Sequence, residues 1–163
     1  LGMHLIYDVA HNIAKIEEHK IDGEKKEVVM HRKGATRCFG PARKELPKLY
    51  RETGQPVIVG GSMETGSYLC VGTDEADDLT FGSTMHGSGR TMSRAQAKRQ
   101  VYGTDLQKKM EKEGIYVRSV SMANLAEEAG LAYKPINEVV DTMDIAGVSK
   151  KVVAFKPIGN VKG

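Results

Sequence analysis

Cysteine is scarce in this sequence. Cys38 and Cys70 are the whole complement of a 163-residue chain. They lie far apart and form no C-x-x-C, so neither a disulfide framework nor a zinc knuckle is indicated, and a reducing interior fits. Long apolar runs are missing too: none approaches the roughly 20 residues of a membrane span, so no membrane partner is expected. The start, Leu1-Gly2-Met3-His4, has no charged region ahead of an apolar one; no secretory signal is expected, and the expected location is cytoplasmic. Nor is there an excess of charge of one sign. The formal net charge is +3, which permits an RNA or DNA partner without demanding one. With 40% hydrophobic and 28% charged residues the chain reads as globular rather than disordered. Its length suits one domain with a sizeable core, and no internal repeat is visible.

Glycine, by contrast, is plentiful, with 18 residues falling in clusters. The central cluster is Phe81-Gly82-Ser83-Thr84-Met85-His86-Gly87-Ser88-Gly89-Arg90-Thr91-Met92-Ser93-Arg94. Glycines let a backbone approach a ligand closely and offer successive N–H groups to an anion. Ser93 is placed to cap a helix over Ala95 to Gln100, whose positive end would face the loop. If that helix begins earlier, Arg90, Arg94 and Lys98 share one face. His86 adds a nucleophile, because a neutral imidazole is available near pH 7 and attacks phosphorus without the pKa depression a lysine needs. A phosphate cradle and a Gly-rich turn with an incidental histidine both fit the motif alone.

The rest of the chain reads as interspersed strands and helices without a βαβ rhythm, an α+β pattern. Met3 to Tyr7 reads as a buried strand already in progress, as though cut from a longer chain. Val9, Ile13 and Ile16 recur at helical spacing, with His11 off that stripe and Asp8 nearby; His11 suits either a metal ligand or a surface histidine. Lys25 to Arg32 reads as a strand ending in His31-Arg32-Lys33-Gly34-Ala35-Thr36-Arg37, a cationic turn of the kind that contacts phosphate or is simply solvated. Pro41 to Glu52 reads as a short helical connection. Pro56 to Val59 and Tyr68 to Val71 read as strands joined by Gly60-Gly61-Ser62-Met63-Glu64-Thr65-Gly66-Ser67, a loop suited to a nucleotide or to a plain hairpin. The acidic run Asp74 to Asp78 reads as a solvated loop. Helices are expected over Thr104 to Lys112, Ala123 to Ala129 and Ile136 to Ala146, and strands over Ile115 to Val120 and Lys151 to Phe155. Tyr133, in a loop, either stacks on a base or packs.

Taken in order, Tyr7-Asp8-Val9-Ala10-His11-Asn12, His31 to Arg37, Gly61-Ser62-Met63, His86-Gly87-Ser88-Gly89-Arg90 with Ser93-Arg94, and the closing Lys162-Gly163 resemble the RtcB-type tRNA-splicing RNA ligases. The resemblance covers the whole chain, read as the C-terminal part (1–163) of a single larger ligase domain. The N-terminal part, which in the family supplies a cysteine, an aspartate and two more histidines to a two-metal site, is absent from this sequence. The resemblance implies a GTP- and manganese-dependent RNA ligase. It would join RNA 3′-phosphate or 2′,3′-cyclic phosphate ends to 5′-hydroxyl ends through a guanylylated His86, in tRNA splicing and RNA repair. It implies His11 as a metal ligand. Asn12, Gly60, Gly61, Ser62, Met63, Ser67, Gly87, Ser88 and Gly89 match nucleotide-contacting positions, and Tyr133 and Lys162 match positions near the guanine. Arg32, Lys33, Arg37, Arg90 and Arg94 are candidates for phosphate or RNA contact. TRNA halves or broken RNA ends would be the substrates, and an archease-type activating protein a partner.

Ser88 stands where the family usually has alanine, and Glu64 and Gly66 where it usually has small neutral residues; Glu64 would either weaken nucleotide binding or point away. Two other classes compete: a catalytically inactive nucleotide- or RNA-binding fragment, and a metal-dependent phosphohydrolase that uses His86 as a ligand.

Overall fold

The computed structural model describes residues 2–162, an α+β mixture of nine strands and five α-helices among those residues. It divides into two compact units built from interleaved stretches of chain. The first holds the chain up to Val59, Tyr68–Gly87 and Val140–Val153; the second holds Gly60–Ser67, Ser88–Val139 and the chain from Ala154.

The first unit opens with a segment, residues 2–10, that has no regular structure and is largely exposed. The buried strand expected over Met3 to Tyr7 is therefore absent, and Met3 and Leu5 are each 83% exposed. Next come β1 (Asn12–Ile21) and β2 (Glu24–Lys33), an antiparallel ribbon with Asn12 opposite Lys33 and Ile21 opposite Glu24. The helix expected across Val9 to Ile16 is replaced by β1. The turn explains this: Asp22 and Gly23 both have positive φ, 53° and 85°, as a two-residue Asp-Gly hairpin requires. The apolar spacing misleads because β1 buries Glu17 and His19 while Ile16 is 67% exposed.

β3 (Ala35–Arg37) follows, then a 3₁₀ turn at Lys48–Tyr50 in place of the expected helical connection. Three strands form a sheet in the order β4–β5–β8: β4 (Pro56–Gly60), β5 (Ser67–Gly72) and β8 (Ser149–Phe155). The acidic run folds as α1 (Glu75–Thr80) rather than as a loop; Ala76 is its buried residue, and Phe81 ends it in the left-handed conformation. β6 (Ser83–Met85) pairs antiparallel with β3. Cys38, Phe39, Leu46, Val57, Val59, Cys70 and Val148 are among the buried residues here. Burial pushes both thiols up, Cys38 to about 12 and Cys70 to about 11, so they are inert packing groups.

In the second unit α2 (Arg94–Gln100) starts at the predicted cap, where Ser93 Oγ accepts from the Gln96 N–H at 3.2 Å. α3 (Gly103–Lys112) places Leu106 and Met110 one turn apart on its buried face; Tyr102 is its N-cap residue. β7 (Tyr116–Ser119), α4 (Met122–Glu127) and a 3₁₀ turn at Gly130–Ala132 follow, then α5 (Ile136–Ile145), which passes from this unit to the first after Val139, and β9 (Gly159–Lys162) closes the order. β7 and β9 pair in parallel, Ser119 opposite Lys162. Met63, Leu106, Met110, Ile115, Val117, Leu125 and Ala129 form the unit's core.

Candidate functional site

In the first unit four strand ends converge through pairing register. The β1–β2 ladder ends with Asn12 opposite Lys33. One residue further along β2, the Gly34 N–H donates to the His11 carbonyl at 3.0 Å. The β3–β6 ladder ends with Ala35 opposite Met85, which sets the next residue, His86, beside Gly34. Gly34 has φ +68°, and a Cβ built there would stand 3.8 Å from His86 Nε2; glycine supplies the turn and leaves that nitrogen uncrowded. Thr36 Oγ1 donates to the Ala10 carbonyl at 3.0 Å, fixing the approach to His11. The result is a stacked imidazole pair, His11 and His86, with ring centroids 4.5 Å apart.

His86 is held below the ordinary imidazole value, first by partial desolvation of its ring and then by the charges of His11 and Lys33. Its lone pair is thus available at neutral pH. Asn12, Lys33 and His86 are all exposed. Among the described residues no group of three His, Cys, Asp or Glu side chains is placed to hold a metal. His11 alone is an incomplete ligand set, and the residues present do not fit a metal pair.

In the second unit a cleft of about 280 Å³ is lined by Gly60, Gly61, Ser62, Met63, Ser67 and Lys162. Those are six of the predicted nucleotide-contacting residues. Phe155, Pro157 and Asn160, which no motif marks, line it as well. The loop offers this cleft mainly its backbone. Met63 is 4% exposed and its side chain belongs to the core, while its carbonyl accepts from Asn160 Nδ2 at 3.2 Å. The Ser62 hydroxyl is shared with Thr65 Oγ1 at 3.0 Å and accepts from the Glu64 N–H. Glu64 turns elsewhere: its carboxylate takes the Lys109 ammonium at 2.6 Å and the Gly130 N–H at 2.5 Å. The first bond lifts Lys109 above the ordinary lysine value. Glu64 therefore ties the glycine loop to α3 and to the turn before Tyr133.

The glycine-histidine motif divides between the units after Gly87. Ser88 is 4% exposed and its N–H donates to the Gly60 carbonyl at 2.8 Å, so that N–H is not free for an anion. Gly89 is exposed with φ +74°.

The five candidate cations separate sharply. Arg32 is 2% exposed; its guanidinium donates twice to Glu17, at 2.8 Å each, and to Ser83 Oγ at 2.8 Å. It is a buried structural tie and leaves the phosphate-contact set. Arg37 is half-buried, donating to Gln55 Oε1 at 3.2 Å and lying 4.7 Å from the Phe39 ring centroid; it too is occupied internally. Arg90 gives Nε to the Met92 carbonyl, one terminal nitrogen to Tyr133 Oη at 3.0 Å and the other to the Glu127 carbonyl at 2.6 Å. That use of all three nitrogens makes it a brace. Lys33 and Arg94 are the exposed members, and Arg94 leans on Glu127 and Glu128 at 3.5 and 3.6 Å. Gly163 of the closing pair lies outside the described residues.

With this geometry in place, the comparisons identify the lineage. The family described as tRNA-splicing ligase RtcB matches residues 1–163, and the chain belongs to that family. It is 57% identical over its full length to the tRNA-splicing ligase RtcB of Archaeoglobus fulgidus, covering 34% of that protein. The corresponding proteins of Methanococcus maripaludis and Pyrococcus furiosus are each 52% identical over the whole chain, with 34% and 17% of their lengths covered. The chain thus spans between 17% and 34% of the length of these relatives. No described helix is long and apolar enough to cross a membrane.

Proposed function

We propose that this chain is the histidine-bearing part of a GTP- and manganese-dependent RNA ligase that acts in tRNA splicing and RNA repair. The observation that carries the proposal is the stacked His11–His86 pair, with one His86 nitrogen facing a glycine and partial burial shifting that imidazole below its ordinary value. The His86 lone pair attacks the α-phosphorus of GTP; a P–N bond forms, the bond to the β-phosphate oxygen breaks, and pyrophosphate leaves. An oxygen of an RNA 3′-phosphate then displaces the imidazole and carries GMP on that end. A 5′-hydroxyl attacks the 3′-phosphorus, loses its proton, and expels GMP as the phosphodiester closes. A 2′,3′-cyclic phosphate must first be opened by water to the 3′-phosphate.

Lys33, exposed beside this pair, neutralises phosphate charge. The cleft lined by Gly60 to Met63, Ser67 and Lys162 receives the guanine nucleotide, with Lys162 donating to a base oxygen. Manganese, when bound, would offset phosphate charge, and among the described residues His11 is the candidate to hold it. The test is intact-mass analysis after incubation with GTP and manganese, on this chain and on a full-length relative. A GMP adduct lost in His86→Ala supports the reading. No adduct in either protein sinks it and favours an inactive binding fragment; turnover of phosphoesters without an adduct favours the hydrolase.

A further inference from the structure

Glu128, just past the end of α4, was singled out by no motif, yet its carboxylate sits at the centre of the second unit's polar groups. Its side chain is 20% exposed. The two oxygens serve different neighbours. Oε1 faces the guanidinium groups of Arg90 and Arg94, each at 3.6 Å. Oε2 accepts from the Tyr133 hydroxyl and lies 4.0 Å from the Lys162 ammonium. One carboxylate oxygen therefore faces both residues assigned to the nucleobase.

The two are not held equally well. Tyr133 has other supports: Arg90 donates to its hydroxyl and packs 4.8 Å from its ring centroid. Lys162 has a four-carbon stem, is about one-third exposed, and among the described residues forms its one ion pair with Glu128. A flexible ammonium that must donate to a single base oxygen gains affinity by being held in place before the ligand arrives. Resting on the guanine-nucleotide reading above, we infer that Glu128 is a positioning residue for base selection, acting through Lys162. It aims the ammonium at the position of a purine oxygen, where guanine presents an acceptor and adenine an amino group.

The inference separates from a merely structural role by what happens to the wrong base. Loss of a general brace weakens every nucleotide alike. Loss of an aimed donor weakens guanosine nucleotides and leaves adenosine nucleotides unchanged, because adenine never used it. The experiment is equilibrium binding of GTP and ATP to the protein and to its Glu128→Gln, Glu128→Asp and Lys162→Ala variants, with thermal melts to confirm folding. The expected result is about a tenfold loss of GTP affinity in Glu128→Gln with ATP affinity unchanged, the same pattern in Lys162→Ala, and partial recovery in Glu128→Asp. Equal losses for both nucleotides in Glu128→Gln, or an unaltered GTP preference, overturn the inference and leave the guanine reading standing. A wild-type protein that shows no preference for GTP overturns that reading, and the inference with it.

Discussion

Two clusters of ionisable side chains share the β1–β2 ribbon and its neighbours, and they differ in how much bonding capacity they leave unused. In the inner cluster Glu17, His19 and Arg32 are 7%, 3% and 2% exposed. Glu17 takes both terminal nitrogens of Arg32 and His19 Nε2, at 2.8, 2.8 and 3.0 Å. In the outer cluster His11, His86 and Lys33 are exposed, and the two imidazoles stack on each other. Arg32 and Lys33 are consecutive, so the pleat alone sends one inward and the other outward. The lesson is that a charged residue becomes a functional candidate through the hydrogen bonds it has left over.

The largest expected effect separates the clusters outright. His86→Ala lowers GMP-adduct formation by at least about a thousandfold, as loss of a nucleophile does, and leaves the melting temperature within a degree or two of wild type. Mass spectrometry and a thermal melt on one preparation test both halves. A mutant that unfolds would move His86 into the structural class and break the comparison.

Glu17→Ala should do the reverse, destabilising the fold by about 3–5 kcal/mol because it strands a buried guanidinium, with any molecules that stay folded keeping His86 reactive. Burial by itself would raise Glu17, but Arg32 and then His19 override it and hold the carboxyl below the ordinary glutamate value. A lowered folded-state pKa contributes stability above the unfolded carboxylate's pKa and loses it as pH falls through the folded value. The wild-type chain should therefore weaken on acidification from about pH 5 downward. Glu17→Gln should flatten that limb in denaturant titrations at several pH values. An acid limb as steep in Glu17→Gln as in the wild type would mean that other carboxyls carry it.

The same inner cluster explains which parts of the structure were legible beforehand. β2, β4, β5, β7 and β8 and helices α2 to α5 were readable because their apolar periods and end signals agree, as with Ser93 before α2 or Gly147 after α5. β1 was misread because the positions it buries carry Glu17 and His19, so apolar spacing pointed to the wrong period; the Asp22-Gly23 pair was the signal that could have corrected it. Of the site, the glycine loop and the histidines stood out by residue type. Gly34 beside His86 was not readable, since it follows from pairing β3 with β6 across nearly fifty residues. Glu128 and Asn160 were equally hidden, because a side chain that serves other protein groups looks like any solvated one; Glu64 stood out as a departure, but its partners Lys109 and Gly130 did not.

A smaller effect tests the outward side of the pleat. Lys33→Ala should weaken RNA binding by about tenfold at low salt (~1.4 kcal/mol). It should also reduce the salt slope of log affinity by about 1, as removal of one phosphate contact does. Arg32→Lys, its inward neighbour, should leave the salt slope unchanged and lower the melting temperature instead. Filter binding across a salt series measures the slopes.

Ser88 gives the smallest effect and the sharpest test, because it has unused capacity in the wrong place. Its Oγ is buried and has no hydrogen-bond partner among the described residues, while its N–H is already given to the Gly60 carbonyl. Unused capacity at the surface meets water; inside, it is a penalty of about 1 kcal/mol or more. Alanine removes the hydroxyl and keeps the backbone, so Ser88→Ala should stabilise the fold by about 1 kcal/mol and leave GMP-adduct formation unchanged. Chemical denaturation and the mass assay read the two quantities. If Ser88→Ala gives no stability and slows the adduct, the hydroxyl meets a ligand or an ordered water during the reaction. Leftover hydrogen-bonding capacity would then mark function in the interior as it does on the surface.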